Sequence, residues 1–93
     1  MITIVVYEKV SDHTKWLEGF NADADHRKGS MGGRILVFDE DPNKHYVILD
    51  FTDEGGREFL NRTKTPEMQK VFKDAGVIEQ TIQPCSKAIK FNK

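Results

Sequence analysis

The sequence predicts an α+β domain in which two helices lie on one face of a four-stranded antiparallel sheet. The order is the ferredoxin-like β-α-β-β-α-β. Three observations carry this prediction. Strand-type segments and helix-type segments alternate in that order along 93 residues. Turn formers separate them. One domain, 1–93, accounts for the whole chain, because a length this short supports a single core.

Residues 2–9 (ITIVVYEK) are β-branched and aromatic, the composition of a strand. Ser11 or Asp12 caps the helix that follows, since a short oxygen-bearing side chain satisfies the free N–H groups of a first turn. The helix is expected to run to about Lys28 and to stop at Gly29-Ser-Met-Gly-Gly33. Residues 34–39 (RILVFD) read as the second strand. Asp39 to Lys44 is dense in turn formers and reads as a hairpin loop. Residues 45–52 (HYVILDFT) return as the third strand. Asp53 is expected to cap a short helix weakened by Gly55 and Gly56, with Phe59 and Leu60 as its apolar anchors. Thr65-Pro66-Glu67 is a helix start, with threonine as cap and proline at the first helical position. Met68, Val71, Phe72 and Ala75 recur at helical spacing, and Gly76 ends the helix. Residues 77–82 and 87–91 share the last strand region, which is expected to break at Pro84.

The strands are apolar on both faces. The first offers Ile2, Ile4 and Val6 to one side and Val5 and Tyr7 to the other. The second sets Ile35 and Val37 against Leu36 and Phe38, and the third sets Val47, Leu49 and Phe51 against Tyr46 and Ile48. Two helices cover only one face. The other face predicts a second copy of the chain as its cover, a homodimer joined through its sheets.

Composition bounds the partners. Fourteen basic and 15 acidic residues leave a net charge of −1, which argues against duplex nucleic acid or an anionic membrane as partner. The single cysteine, Cys85, permits no internal disulfide. The first residues carry no basic region or small-residue cleavage site, and no apolar run is long enough to span a membrane. A cytoplasmic protein is the expectation.

The first helix holds the main functional clue. At 100° per residue, Trp16, Phe20 and Arg27 share one stripe, with Asp23 beside it and His26 at its flank. Apolar walls with a few convergent polar groups describe a small-molecule pocket. In that reading Arg27 orients an anionic or enolic oxygen and His26 moves a proton. Asp23 and Arg27 are four apart, so they also fit a surface ion pair. Arg34 at the mouth of the second strand and Phe72 on the last helix join the candidate lining. Tyr7, Phe38 and Tyr46 fit either the pocket or the dimer seam. His13, His26 and His45 form no compact ligand cluster, so no metal is expected. The glycine-rich segment lacks the spacing and the following helix of a phosphate-binding loop. Cys85 has no basic partner in sequence and is not expected to be a catalytic thiolate.

The strand order is shared by RNA-recognition motifs. Lys44 to Phe51 keeps a lysine and two aromatics of their third strand but lacks the glycine and the central aromatic. RNA binding is therefore the remote alternative.

The chain resembles the dimeric α+β barrel superfamily over nearly its whole length. That group includes antibiotic-biosynthesis-monooxygenase-like proteins and small cyclase-like proteins. The features that carry the resemblance begin with Val10-Ser-Asp12 leading into a helix with Trp16 and Phe20. Arg27, Gly32-Gly33-Arg34 and Asp41-Pro-Asn43 follow. Leu49-Asp-Phe51, Phe59-Leu60, Thr65-Pro66-Glu67 and Ala75-Gly76-Val77 complete the set. The resemblance implies a homodimeric barrel and a cofactor-independent, monooxygenase-like or cyclase-like enzyme for an aromatic or polyketide-like compound. The alternative it implies is a ligand-binding or stress-associated homodimer without turnover. The haem-degrading branch places an axial histidine in the second helix region; residues 53–76 hold none.

Overall fold

The structure, a computed structural model, describes residues 1–93. Its elements are β1 (Ile2–Val10), α1 (His13–Ala22), β2 (Ser30–Val37), β3 (Lys44–Phe51), α2 (Asp53–Thr63), α3 (Pro66–Asp74) and β4 (Val77–Cys85), with a single 3-10 turn at Ala24–His26. The four strands form one antiparallel sheet in the order β2-β3-β1-β4. This is the ferredoxin-like α+β arrangement, with its long central pairings between β1 and its two neighbours.

One face of the sheet is the core. Ile4, Val6 and Val10 of β1 and Val47, Leu49 and Phe51 of β3 are buried together with Trp16 of α1. The alternate residues Val5, Tyr7, Tyr46 and Ile48 point away from the helices, as the two-residue period of a strand requires. The molecule measures 35 × 33 × 19 Å. Its short dimension fits one sheet and one layer of helices, so the second face of the sheet has no cover from its own chain.

Several local expectations are corrected. The first helix ends at Ala22, not near Lys28. Asp23 and Asp25 would place negative charge at a helix C-terminus, where the backbone dipole disfavours it, and the last turn offers no basic residue to compensate. Asp12, rather than Ser11, accepts from the Lys15 N–H as the cap. The glycine-rich segment is mostly strand. β2 begins at Ser30 and crosses a bulge between Ser30 and Gly33, where Gly32 takes a φ of +93°. Gly33 lies so close to the Ile48 carbonyl that no side chain fits there.

Thr52, not Asp53, caps α2, its hydroxyl accepting from the Gly55 N–H at 3.1 Å. α2 is 11 residues long, so the two glycines do not shorten it. α3 begins as its sequence predicts, with Thr65 as cap and Pro66 at the first position. β4 runs unbroken through Pro84, which is opposite Ile4. β4 is an edge strand, where a missing N–H costs no ladder bond on its open side. Residues 86–93 form no strand, and Ile89 and Phe91 are exposed.

Candidate active site

A cavity of about 320 Å³ lies between the helix-facing side of the sheet and the helices. Its walls are mainly apolar. Trp16, Gly19 and Phe20 come from α1, Val6, Val47 and Leu49 from the central strands, and Met68, Val71 and Phe72 from α3. Phe59 of α2 and Ile82 of β4 close the remaining sides. Trp16 and Phe20 stack at 5.2 Å between ring centroids, which extends one continuous aromatic wall along α1.

Arg27 lines this cavity, although it is not on the helix. The 3-10 turn brings the chain back so that the Arg27 guanidinium lies 3.8 Å above the Phe20 ring. Its Nη1 donates to the Phe20 carbonyl at 2.9 Å, and no other hydrogen bond from its side chain is made within the protein. The surface ion pair that the spacing of Asp23 and Arg27 also allowed does not form. The Asp23 carboxylate accepts instead from Arg62 of α2, with Nη2 at 2.8 Å and Nη1 at 3.3 Å. Arg62 therefore takes up the nearest counter-charge. Burial holds the Arg27 guanidinium below the usual arginine value, Asp23 opposes that shift, and Arg62 adds to it. The result is a part-buried cation with spare donors and no bonded carboxylate.

The other sequence candidates separate. Phe72 lines the cavity and Asp23 stands at its margin. His26 does not line it. Its imidazole is 66% exposed and holds Asp23 Oδ1 at 3.1 Å, because the helix stops before reaching it. Arg34 is opposite Ile48 and borders a neighbouring groove of about 250 Å³, which shares Phe20, Arg27, Val47 and Leu49 with the main cavity. Phe38 and Tyr46 lie beyond the sheet from the cavity. They form a ring cluster with Tyr7, at 6.1 Å for Tyr7–Phe38, 5.8 Å for Tyr7–Tyr46 and 5.5 Å for Phe38–Tyr46.

The structure adds polar residues that the sequence reading passed over. Glu8, 3% exposed, is the one carboxylate the fold buries, and it lines the cavity floor. His45 on β3 and Gln80 on β4 sit directly opposite it in the two ladders. His45 Nε2 is 2.9 Å from Glu8 Oε1, and Gln80 Nε2 donates to Glu8 Oε2 at 2.6 Å. The His45 ring is fully buried beneath Trp16, with 3.9 Å between centroids. The signal was available in phase. Glu8 continues the Ile4–Val6 side of β1, and His45 continues the Val47–Leu49 side of β3, so both were bound for the core. No group of three or more His, Cys, Asp or Glu side chains gathers in a metal-binding arrangement. No helix is long and apolar enough to cross a membrane.

No protein-family model matches the sequence, and no curated protein matches it in sequence comparison. Solved structures do match its fold. SnoaB, a cofactor-independent oxygenase from Streptomyces nogalater, superposes with a TM-score of 0.73 over 99% of this chain and 97% of that one, at 14% identity.

The chain has the fold of the antibiotic biosynthesis monooxygenases.

A candidate member of that group from Bordetella bronchiseptica gives a TM-score of 0.68 at 13% identity, covering 95% of this chain and 97% of that one. PA3566 from Pseudomonas aeruginosa gives 0.63 at 15% identity over 95% and 94% of the two chains. At such identities the likeness establishes the shared monooxygenase-type fold, and the chemistry has to be argued from this chain's own residues.

Proposed function

We propose that this protein is a small-molecule enzyme of the cofactor-independent monooxygenase-like or cyclase-like type, acting on an aromatic or polyketide-like compound. The observation that carries this reading is the apolar cavity with Arg27 at its edge, a guanidinium with free donors and no bonded carboxylate. An aromatic ring fits among Trp16, Phe20 and Phe72. An enolate or phenolate oxygen fits the guanidinium fork, which matches such groups in geometry and charge. A cation placed where negative charge develops is the usual largest contribution to catalysis. The fold shared with SnoaB supports the same class. In this reading the sheet-to-sheet homodimer leaves the cavity untouched, since the cavity lies on the helix side.

The test is oxygen uptake and product formation with a panel of quinols and polyketide-like phenols, on the wild type and on Arg27→Ala. Loss of that oxyanion contact is expected to lower kcat/KM by about 100-fold or more. Circular dichroism and the denaturation midpoint are expected to stay close to wild type. Tight binding of the panel without any product would identify a ligand-binding protein instead. Unchanged turnover in Arg27→Ala would remove Arg27 from the site.

A further inference from the structure

We propose that Glu8 is the proton acceptor of this cavity, held in place by His45 and Gln80. It takes a proton from a weakly acidic O–H or C–H of the bound compound, whose oxyanion then faces Arg27. The inference rests on the cavity being a small-molecule site, as proposed above, and adds the chemistry that site performs.

A buried carboxylate is a poor device for stability. Taking a carboxylate out of water usually gains nothing over an apolar side chain of the same volume, even where it is hydrogen-bonded. This fold nevertheless buries Glu8 and His45 in the middle of its core row, between Val6 and Val10 on β1 and beside Val47 on β3. It also leaves His45 Nδ1 buried with no partner, so the imidazole makes its one hydrogen bond to Glu8. An unsatisfied buried polar group calls for an explanation, and a catalytic role is one.

The geometry suits an acceptor. Each carboxylate oxygen receives one bond within the protein, from His45 at 2.9 Å and from Gln80 at 2.6 Å. An ionised carboxylate has about four lone-pair positions, so about two stay open, and Glu8 forms part of the cavity floor. The two donors come from different strands in register, which fixes the carboxylate's direction as a positioned base requires. The other charged groups around the cavity are Lys15 from α1, Asp23 and Arg27 after it, and Asp74 from α3; α2 contributes only Phe59. None of them hydrogen-bonds to Glu8.

The step balances without an oxidant. The substrate's O–H or C–H bond breaks, its electron pair stays on the substrate, and the proton goes to a Glu8 oxygen. The negative charge collects on the oxygen that Arg27 faces, and Glu8 later returns the proton to product or solvent.

Nitrobenzisoxazole is the probe that tests this. A base removes its ring C–H beside nitrogen. The C–H electrons complete a nitrile, the N–O bond breaks, and its pair leaves on a yellow cyanonitrophenolate. The wild type is expected to accelerate this opening. Glu8→Gln keeps the shape and can keep the bond from Gln80, but it cannot accept the proton. It is expected to lose about 100-fold or more of the rate. Gln80→Met keeps volume and removes one of the two donors that direct the carboxylate, so kcat is expected to fall by about 10-fold with KM unchanged.

Product binding separates the two readings. Binding of the cyanonitrophenolate by wild type with no acceleration would overturn Glu8 as base while leaving the cavity as a ligand site. Absence of both would overturn the two together. Equal rates in Glu8→Gln, or a Gln80→Met kcat equal to that of the wild type, would assign the row a structural role. If Glu8→Gln fails to fold by circular dichroism, the Gln80→Met kcat decides.

Discussion

Trp16 bears on both the stability of this chain and the shape of its cavity. It is buried, packs against a tilted His45 ring at 3.9 Å, stacks on Phe20 at 5.2 Å, and belongs to the core cluster that joins α1 to the sheet. Trp16→Ala is expected to cost about 3–5 kcal/mol, the range for removing a buried large aromatic. Urea unfolding followed by circular dichroism measures this, because Trp16 is the sole tryptophan and its fluorescence goes with it. A cost below about 1 kcal/mol would mean that the ring lines an open space rather than a core. At this scale the sequence was legible where one periodicity decided a residue's direction. The helical stripe placed Trp16 and Phe20 correctly. Arg27 reaches the same wall by another route, since the helix ends at Ala22 and a 3-10 turn folds the guanidinium back over Phe20. Strand phase sent Glu8 and His45 to the core, but their meeting with each other and with Gln80 was hidden, because the three are far apart in sequence and meet only through strand pairing.

At the scale of elements, α2 shows how packing overrides propensity. Gly55 and Gly56 read as weak helix formers, yet α2 runs for 11 residues through both. The reason is close approach. A Cβ on Gly55 would sit 2.8 Å from the Lys28 carbonyl oxygen and 2.9 Å from Gly29 Cα. A Cβ on Gly56 would run into the Ile2 side chain and touch Phe51. The helix therefore lies directly against the turn before β2 and against the start of β1. Propensity alone predicts that alanine at either position gains up to about 1 kcal/mol. The contacts predict the opposite, a loss of about 1–3 kcal/mol from overpacking. Denaturation midpoints of Gly55→Ala and Gly56→Ala decide the sign. Stabilisation by Gly55→Ala would show that α2 can lift from the Gly29 turn at no cost. Element order was legible in the sequence because each strand and helix carries its own periodicity and caps. The glycine-rich segment was not, because glycines mark a loop and a bulged edge strand equally well, and only the pairing of Ser30 and Gly33 with β3 tells them apart.

The molecule as a whole is a half-covered sheet. Its helices bury one face, while Val5, Tyr7, Leu36, Phe38, Tyr46 and Ile48 occupy the other without a cover from their own chain. Leu36 and Tyr46 face each other across β2 and β3 and are 42% and 40% exposed. Lone apolar residues are common on a surface, but a contiguous row across three strands marks a contact surface. A second copy is the proposed occupant, because a two-fold axis through this face sets the same row against itself and closes the assembly. A charge in the row would be desolvated by that contact and would meet its own copy near the axis. Leu36→Glu is thus expected to shift the protein from dimer to monomer in sedimentation equilibrium, with circular dichroism unchanged. The cavity lies on the other side of the sheet, so the separated variant is expected to keep the wild type's affinity for cyanonitrophenolate. A wild type that sediments as a monomer at every concentration would refute the dimer. A variant that stays dimeric would move the contact elsewhere, and one that dissociates and loses the ligand would show that the cavity is completed only in the pair.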